Sequence, residues 1–244
     1  MKTTIAVILV SVTLLFGQDN VYPLEDYYGG GIGYSPIFLL LDYNAIGALA
    51  GLSGLGLDKA DFSTPYIIHG GEGFTHMSGH WRLGGYAGSG VSRISSIDTT
   101  GGVNKSVEAG LALMLGAATV EYAIPLFRDL EIAIGVLAGV GRANLVINQT
   151  PGSPDWNEQF SVVYGTAITV AHATDLSGTF FNLQPYLTLK WQLLDRVGLR
   201  LSAGYNRGAI GAGRWILNGR EPVSNSPESI FSGIAFRTML YFGI

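Results

Sequence analysis

Charged side chains are scarce in this sequence, so the few that recur at strand spacing invite a chemical reading. Glu72, Arg82, Glu108, Glu121, Lys190, Arg200 and Arg237 all fall on the polar side of segments in which apolar and polar residues alternate. Carboxylates and guanidiniums gathered together could pass protons or solutes. They could also simply pair, because an isolated buried charge is too costly to keep. His76-Met77-Ser78 offers a second chemistry, since a serine nucleophile needs a histidine base that is itself oriented by an acid. No companion acid can be assigned. His69, His76 and His80 could suggest a metal site, but a histidine pair four residues apart on a turn is a weak ligand set. Asn104-Lys105-Ser106 and Asn148-Gln149-Thr150 match glycosylation acceptors and read as chance. No nucleotide motif or metal signature stands out, and no cofactor is expected.

The segments that must position these residues are strands. Phe181, Leu183, Pro185, Leu187, Leu189, Trp191 and Leu193 share one face, and Asn182, Gln184, Tyr186, Thr188, Lys190 and Gln192 share the other. After a two-residue turn the pattern resumes with Val197, Leu199, Leu201, Ala203 and Tyr205 against Gly198, Arg200, Ser202, Gly204 and Asn206. Period-two alternation of this length denotes strands with one apolar face. Strands are expected over 27–41, 66–77, 81–92, 107–126, 131–146, 181–193, 197–206 and 230–244. The alternation of 107–126 shifts phase near Gly116-Ala117-Ala118, which a β-bulge would explain.

Short connections fall at 78–80, 127–130 and 194–196, and long ones at 43–65, 96–104, 149–178 and 209–228. Along an up-and-down meander the two kinds alternate, so every short turn and both chain ends share one rim. Outer-membrane barrels have this asymmetry. The fold expected is therefore all-β, an up-and-down antiparallel barrel of about eight strands. The β-prone segment 160–171 admits ten. An eight-stranded barrel is filled by its own side chains, so the charges are expected to form an interior ion-pair network, with a proton or solute path the alternative. Tyr27, Tyr28, Trp81, Tyr122, Phe127, Trp191, Tyr241 and Phe242 fall near the short-turn rim, as an interfacial girdle would. In the first long loop a short helix is expected, with Asn44 as N-cap, 45–53 as body and Gly54 as stop. Its Ile46, Leu49, Ala50 and Leu52 must bury against something, such as the barrel mouth.

Composition agrees. Charged residues are 13% of the chain, about half the usual ~25%, and apolar residues are 48%. No Lys/Arg cluster suggests nucleic acid, and the absence of cysteine removes disulfides and thiol chemistry. Lys2, the uncharged run 5–16 and small Gly17 read as a signal peptide over 1–17, followed by one barrel domain over 18–244. An uncleaved anchor is the alternative. The 35 glycines leave room for bulky neighbours and ease barrel coiling. They could also let strands pair between subunits, which would favour a homo-oligomer.

These features resemble the small bacterial outer-membrane β-barrel proteins of eight-stranded up-and-down type. They are also similar to uncharacterised Gly-rich exported proteins. The matching stretches are Gly29-Gly30-Gly31-Ile32-Gly33-Tyr34, residues 44–57, Gly70-Gly71-Glu72-Gly73 with Leu83-Gly84-Gly85-Tyr86, and Leu183-Gln184-Pro185 leading to Ala203-Gly204-Tyr205. Ile234, Phe236, Leu240, Phe242 and Ile244 alternate around Thr238, which resembles the terminal-strand signal read by the barrel assembly machinery, although Ile replaces the usual final Phe. His76-Met77-Ser78 is similar to the His-x-Ser of outer-membrane lipid A deacylases, but it lies at a turn on the rim away from lipid A. The resemblance implies outer-membrane lipid as a partner and no known activity. Three functions are expected in descending order: a non-enzymatic outer-membrane barrel with a closed polar interior and surface-displaying loops, a self-assembling extracellular fibre or sheath protein, and an outer-membrane lipid hydrolase.

Overall fold

Alternating side chains can all be satisfied at once if an extended chain has a lipid or core face on one side and a filled interior on the other. A computed structural model describes residues 29–98, 105–127, 129–151, 172–194 and 196–243. It contains β1 (Gly30–Tyr34), β2 (Ile37–Leu41), β3 (Tyr66–His76), β4 (Trp81–Asp98), β5 (Lys105–Phe127), β6 (Leu130–Pro151), β7 (His172–Leu194), β8 (Val197–Ile210), β9 (Ile216–Leu217), β10 (Glu221–Pro222) and β11 (Ser229–Gly243).

β1 and β2 are one stave. Tyr34 faces Leu240 and Ile37 faces Arg237, so the register runs through the join unbroken. The interruption falls at Pro36, which has no N–H to give the ladder. β3 to β8 pair antiparallel in chain order, β8 pairs with β11, and β11 pairs with the first stave, which returns to β3. The ring of eight staves is closed. Short turns follow β3, β5 and β7 on the rim where Gly31 meets Gly243, and the long connections lie on the opposite rim. The 160–171 segment and the 1–17 segment lie outside the described residues.

Several expectations need correction. No bulge interrupts β5 at 116–118: the register to β6 is continuous there, and the shift lies between Pro125 and Phe127, beside the short turn. Leu111, Leu113, Leu115, Thr119 and Glu121 all point inward in one phase. What changes near Gly116 is the chemistry of the inward face, from apolar to polar, and small residues on both faces disguise that as a phase slip. The outward aromatics Trp81, Tyr122, Phe127, Trp191 and Phe242 form the expected girdle, but Tyr241 is buried inside. Tyr27 and Tyr28 lie outside the described residues.

The first long loop does carry a helix, of 3₁₀ type, over Gly47–Leu55. Ile46, Leu49, Leu52 and Leu55 recur every third residue. That is the 3₁₀ period, which stacks them on one face. Asn44 sits in a separate turn, Tyr43–Ala45, capped by the Asp42 carboxylate accepting from the Asn44 N–H. Gly56 rather than Gly54 ends the helix, at φ 73°, and Ala50 points outward. Ile46, Leu49 and Leu52 are buried with Tyr66, Leu111, Leu113, Phe180, Phe231 and Trp215. The helix thus plugs the mouth of the ring. Tyr43 beside it donates to the Ser63 carbonyl at 2.7 Å, and burial pushes its hydroxyl pKa up to about 12.

The interior is therefore not polar throughout, as the alternation alone suggested. Its loop-side half is an apolar core, and its short-turn half is polar. β5, β6 and β7 run for 23, 22 and 23 residues, about twice the ~9–11 that cross a bilayer. β3 begins at Tyr66 and β8 ends at Ile210, so the far ends of β4–β7 rise past both neighbours as a four-stranded tongue. The β9–β10 hairpin covers one edge of the tongue, with Leu217 beside Leu176 and Ile216 beside Ser177. Asn218 and Gly219 take left-handed backbone angles at its turn.

Because Leu49 is fully enclosed by the plug contacts, Leu49→Ala is expected to lower unfolding free energy by about 2–4 kcal/mol. Ala50→Ser, on the exposed side of the same helix, should change it by less than about 0.5 kcal/mol. Urea unfolding of the detergent-solubilised barrel reads both.

Candidate functional site

Inward positions on the short-turn half are drawn from staves all round the ring, so side chains far apart in sequence meet across it. Glu72 comes from β3, Arg82 from β4, Glu121 from β5, Glu131 from β6, Tyr186 and Lys190 from β7, Arg200 from β8 and Arg237 from β11. Arg200 is the centre. Its Nη1 donates to Glu72 at 2.8 Å, and its Nη2 donates to Glu121. Glu72 also pairs with Arg237, whose Nε lies 3.2 Å away, and accepts from the Ser35 hydroxyl at 3.1 Å. Glu121 accepts from the Tyr186 hydroxyl at 2.9 Å and lies 3.9 Å from Arg82. Arg82 pairs closely with Glu131, which lies 3.9 Å from Lys190.

The cations share an aromatic floor. The Phe74 ring lies 4.5 Å from the Arg200 guanidinium carbon, 5.6 Å from that of Arg82 and 5.7 Å from the Lys190 nitrogen. Arg237 stacks 4.5 Å over Tyr186. Guanidinium planes suit this role better than ammonium groups, because they stack and fork at the same time. Glycine makes the close fit feasible: a Cβ at Gly135 would stand 2.7 Å from the Tyr186 ring and 2.9 Å from Glu121 Cγ.

Six of the seven residues singled out in the sequence thus lie in one connected cluster. Glu108 does not. It is on the outer face of the tongue, 42% exposed, with Arg93 at 3.7 Å. Alternation places it outward because inward β5 positions are odd-numbered, and Glu108 is not. Glu131 and Tyr186 are members that sequence reading passed over. Glu131 was legible, since it shares the phase of inward Ala133, Gly135 and Leu137.

The histidines do not converge. His69 faces outward and bonds the Tyr34 hydroxyl at 2.6 Å, and His80 packs against Tyr122. His76 Nε2 accepts from Arg82 Nε at 2.9 Å. That nitrogen is thereby occupied, and Ser78 stands in the exposed turn with no carboxylate bonded to His76 among the described residues. No group of three or more potential metal ligands occurs among the described residues.

On the outside, Leu83, Val120, Ile134, Val136, Leu187, Leu189, Leu201, Phe236 and Leu240 are all exposed, forming an apolar belt around the closed ring. Water cannot stabilise such a surface, and a closed sheet is one of the two structures a bilayer accepts. In fold and in surface, the chain is a closed antiparallel β-barrel with the apolar exterior that a bilayer-spanning barrel requires.

No protein-family model matches this sequence, and no curated protein matches it. Among solved structures it is similar to Ail, the attachment invasion locus protein of Yersinia pestis, at 8% identity over 88% of this chain and 97% of Ail, with a TM-score of 0.39. It is also similar to the outer membrane protein OprG from Pseudomonas aeruginosa, at 9% identity over 88% and 95% of the two chains, with a TM-score of 0.40. For the outer membrane protease OmpT from Escherichia coli the values are 9%, 88%, 94% and 0.33.

Removing one charge from the cluster leaves its partner buried and uncompensated. Glu121→Gln should therefore cost about 3–5 kcal/mol of stability. Glu108→Gln, across a solvent-exposed pair, should cost less than about 1 kcal/mol. Denaturant midpoints of the two variants, measured side by side, check the contrast.

Proposed function

We propose that the protein is a sealed, non-conducting barrel of the bacterial outer membrane that holds an extracellular binding platform. The platform comprises the upper ends of β4–β7 and the loops that tuck beneath them. The observation that carries this reading is the strand length: β5–β7 are about twice as long as a bilayer crossing needs. Residues beyond the crossing are ordered as sheet and backed by the plug, which gives a rigid surface. Val91, Arg93 and Ile97 stand exposed on its outer face.

The two-zone interior supports the sealed part of the proposal. The apolar core of Leu49, Leu52, Tyr66, Leu113 and Phe231 closes the loop side, and the Glu72–Arg200–Glu121 cluster closes the other. Both zones are filled by side chains among the described residues, as a sealed lumen requires. Export through the 1–17 segment, and recognition by the barrel assembly machinery through β11, belong to the same proposal. On β11, Ile234, Phe236, Leu240 and Phe242 all face lipid.

Two measurements test it. Reconstituted in planar bilayers, the protein should give no stepwise current, and reproducible channels would overturn the sealed reading. The natural chain has no cysteine, so single cysteines report topology cleanly. On intact cells, Ser53→Cys in the plug loop should react with a membrane-impermeant maleimide, and Ser78→Cys in the short turn should react only after lysis. The reverse pattern would refute the orientation, and recovery of the protein as membrane-free polymers would favour the fibre reading.

A further inference from the structure

The polar half of the interior has an imbalance that its own residues do not resolve. Among the described residues it holds four cations, Arg82, Lys190, Arg200 and Arg237, against three carboxylates, Glu72, Glu121 and Glu131. His76 does not add a charge, because its Nε2 acts as an acceptor for Arg82. Hydrogen-bonding capacity is lopsided in the same direction. Once the Arg82–Glu131 pair is counted as made, and with Asn182, Asp175 and Trp215 left aside because they lie higher towards the loops, the buried side-chain atoms of this half without a partner among the described residues include five nitrogens: Arg82 Nη2, Arg200 Nε, both Nη atoms of Arg237 and Gln184 Nε2. Against these stand two oxygens, Glu121 Oε2 and Gln184 Oε1.

Arg237 is the sharpest instance. The residue is 1% exposed, it uses only Nε on Glu72, and its two terminal nitrogens have no partner among the described residues. Gln184, also 1% exposed, occupies the inward position next to Tyr186 on β7, over whose ring Arg237 stacks. Leaving buried donors empty costs free energy comparable to several lost hydrogen bonds.

Water alone fits this poorly. Each water brings two hydrogens of its own, and the site offers few acceptors for them. A small anion accepts from several N–H groups at once, brings no donors and cancels the excess charge.

We infer that the polar half of the lumen binds one small monovalent anion of the halide class, held by the terminal nitrogens of Arg237 with Gln184 nearby. The site is closed off by the apolar plug, so the anion enters as the barrel folds and acts as a structural ligand.

The test is refolding of the full barrel from urea into detergent, in sodium chloride, sodium bromide or sodium gluconate at equal ionic strength. Gluconate is too large for a sealed lumen. Chloride and bromide should raise the unfolding midpoint in a saturable way. At a hundredfold excess over Kd the unfolding equilibrium constant should fall about a hundredfold. Arg237→Lys keeps the charge facing Glu72 but removes the forked donors, so it should fold in all three salts and lose the halide dependence. Equal midpoints in the three salts for the natural chain would overturn the inference, as would an undiminished halide effect in Arg237→Lys. Should that variant fail to fold, bromide-grown crystals decide. Anomalous density within hydrogen-bond reach of Arg237 supports the site, and its absence overturns it.

Discussion

Arg200 is the residue on which the rest of this barrel depends. Its guanidinium is buried in the ring, and a buried cation survives only if carboxylates meet it with good geometry. Glu72 and Glu121 do so from β3 and β5, on the far side of the sheet from β8. One side chain therefore ties together three staves that share no backbone hydrogen bonds. Arg237 and Arg82 extend the tie to β11 and β4. The ladder alone fixes neighbours; the charges fix the ring's cross-section.

That cross-section constrains everything above it. A ring of eight staves leaves no lumen for bulk water, so its two halves must each be filled, and they are filled by opposite chemistries. The polar half is filled by strand side chains with Phe74 as a shared aromatic floor. Inward residues of the apolar half come from strands that widen into the tongue, and the gap between them is closed by loop residues. Ile46, Leu49 and Leu52 supply that closure from a 3₁₀ helix whose three-residue period aligns them. The tongue and the plug are thus one device. The sheet extension needs an apolar backing to stay ordered in water, and the plug needs an apolar ceiling to stay down.

Glycine has a specific part in this packing. At Gly135 any side chain would strike both Tyr186 and Glu121. The missing side chain on β6 is what lets the Tyr186 hydroxyl reach the carboxylate from β7. The room for bulky neighbours expected of the glycines is, at that position, clearance for an ion cluster.

The sequence by itself determined the period of every long strand, the alternation of short and long connections, and hence the ring and the rim that carries the short turns. These are local properties, since side-chain alternation and turn length are written within a few residues of one another. It also put six charges on inward faces, because inward and outward are two phases of one period. Tertiary structure alone decided which charges meet, because Glu72 and Arg200 are 128 residues apart and are joined only by closure of the ring. It alone paired Glu108 with Arg93 and set Glu131 between Arg82 and Lys190. It alone divided the interior into polar and apolar halves. Those outcomes depend on height along the barrel and on what stands across it. No alternation within a single strand records either one.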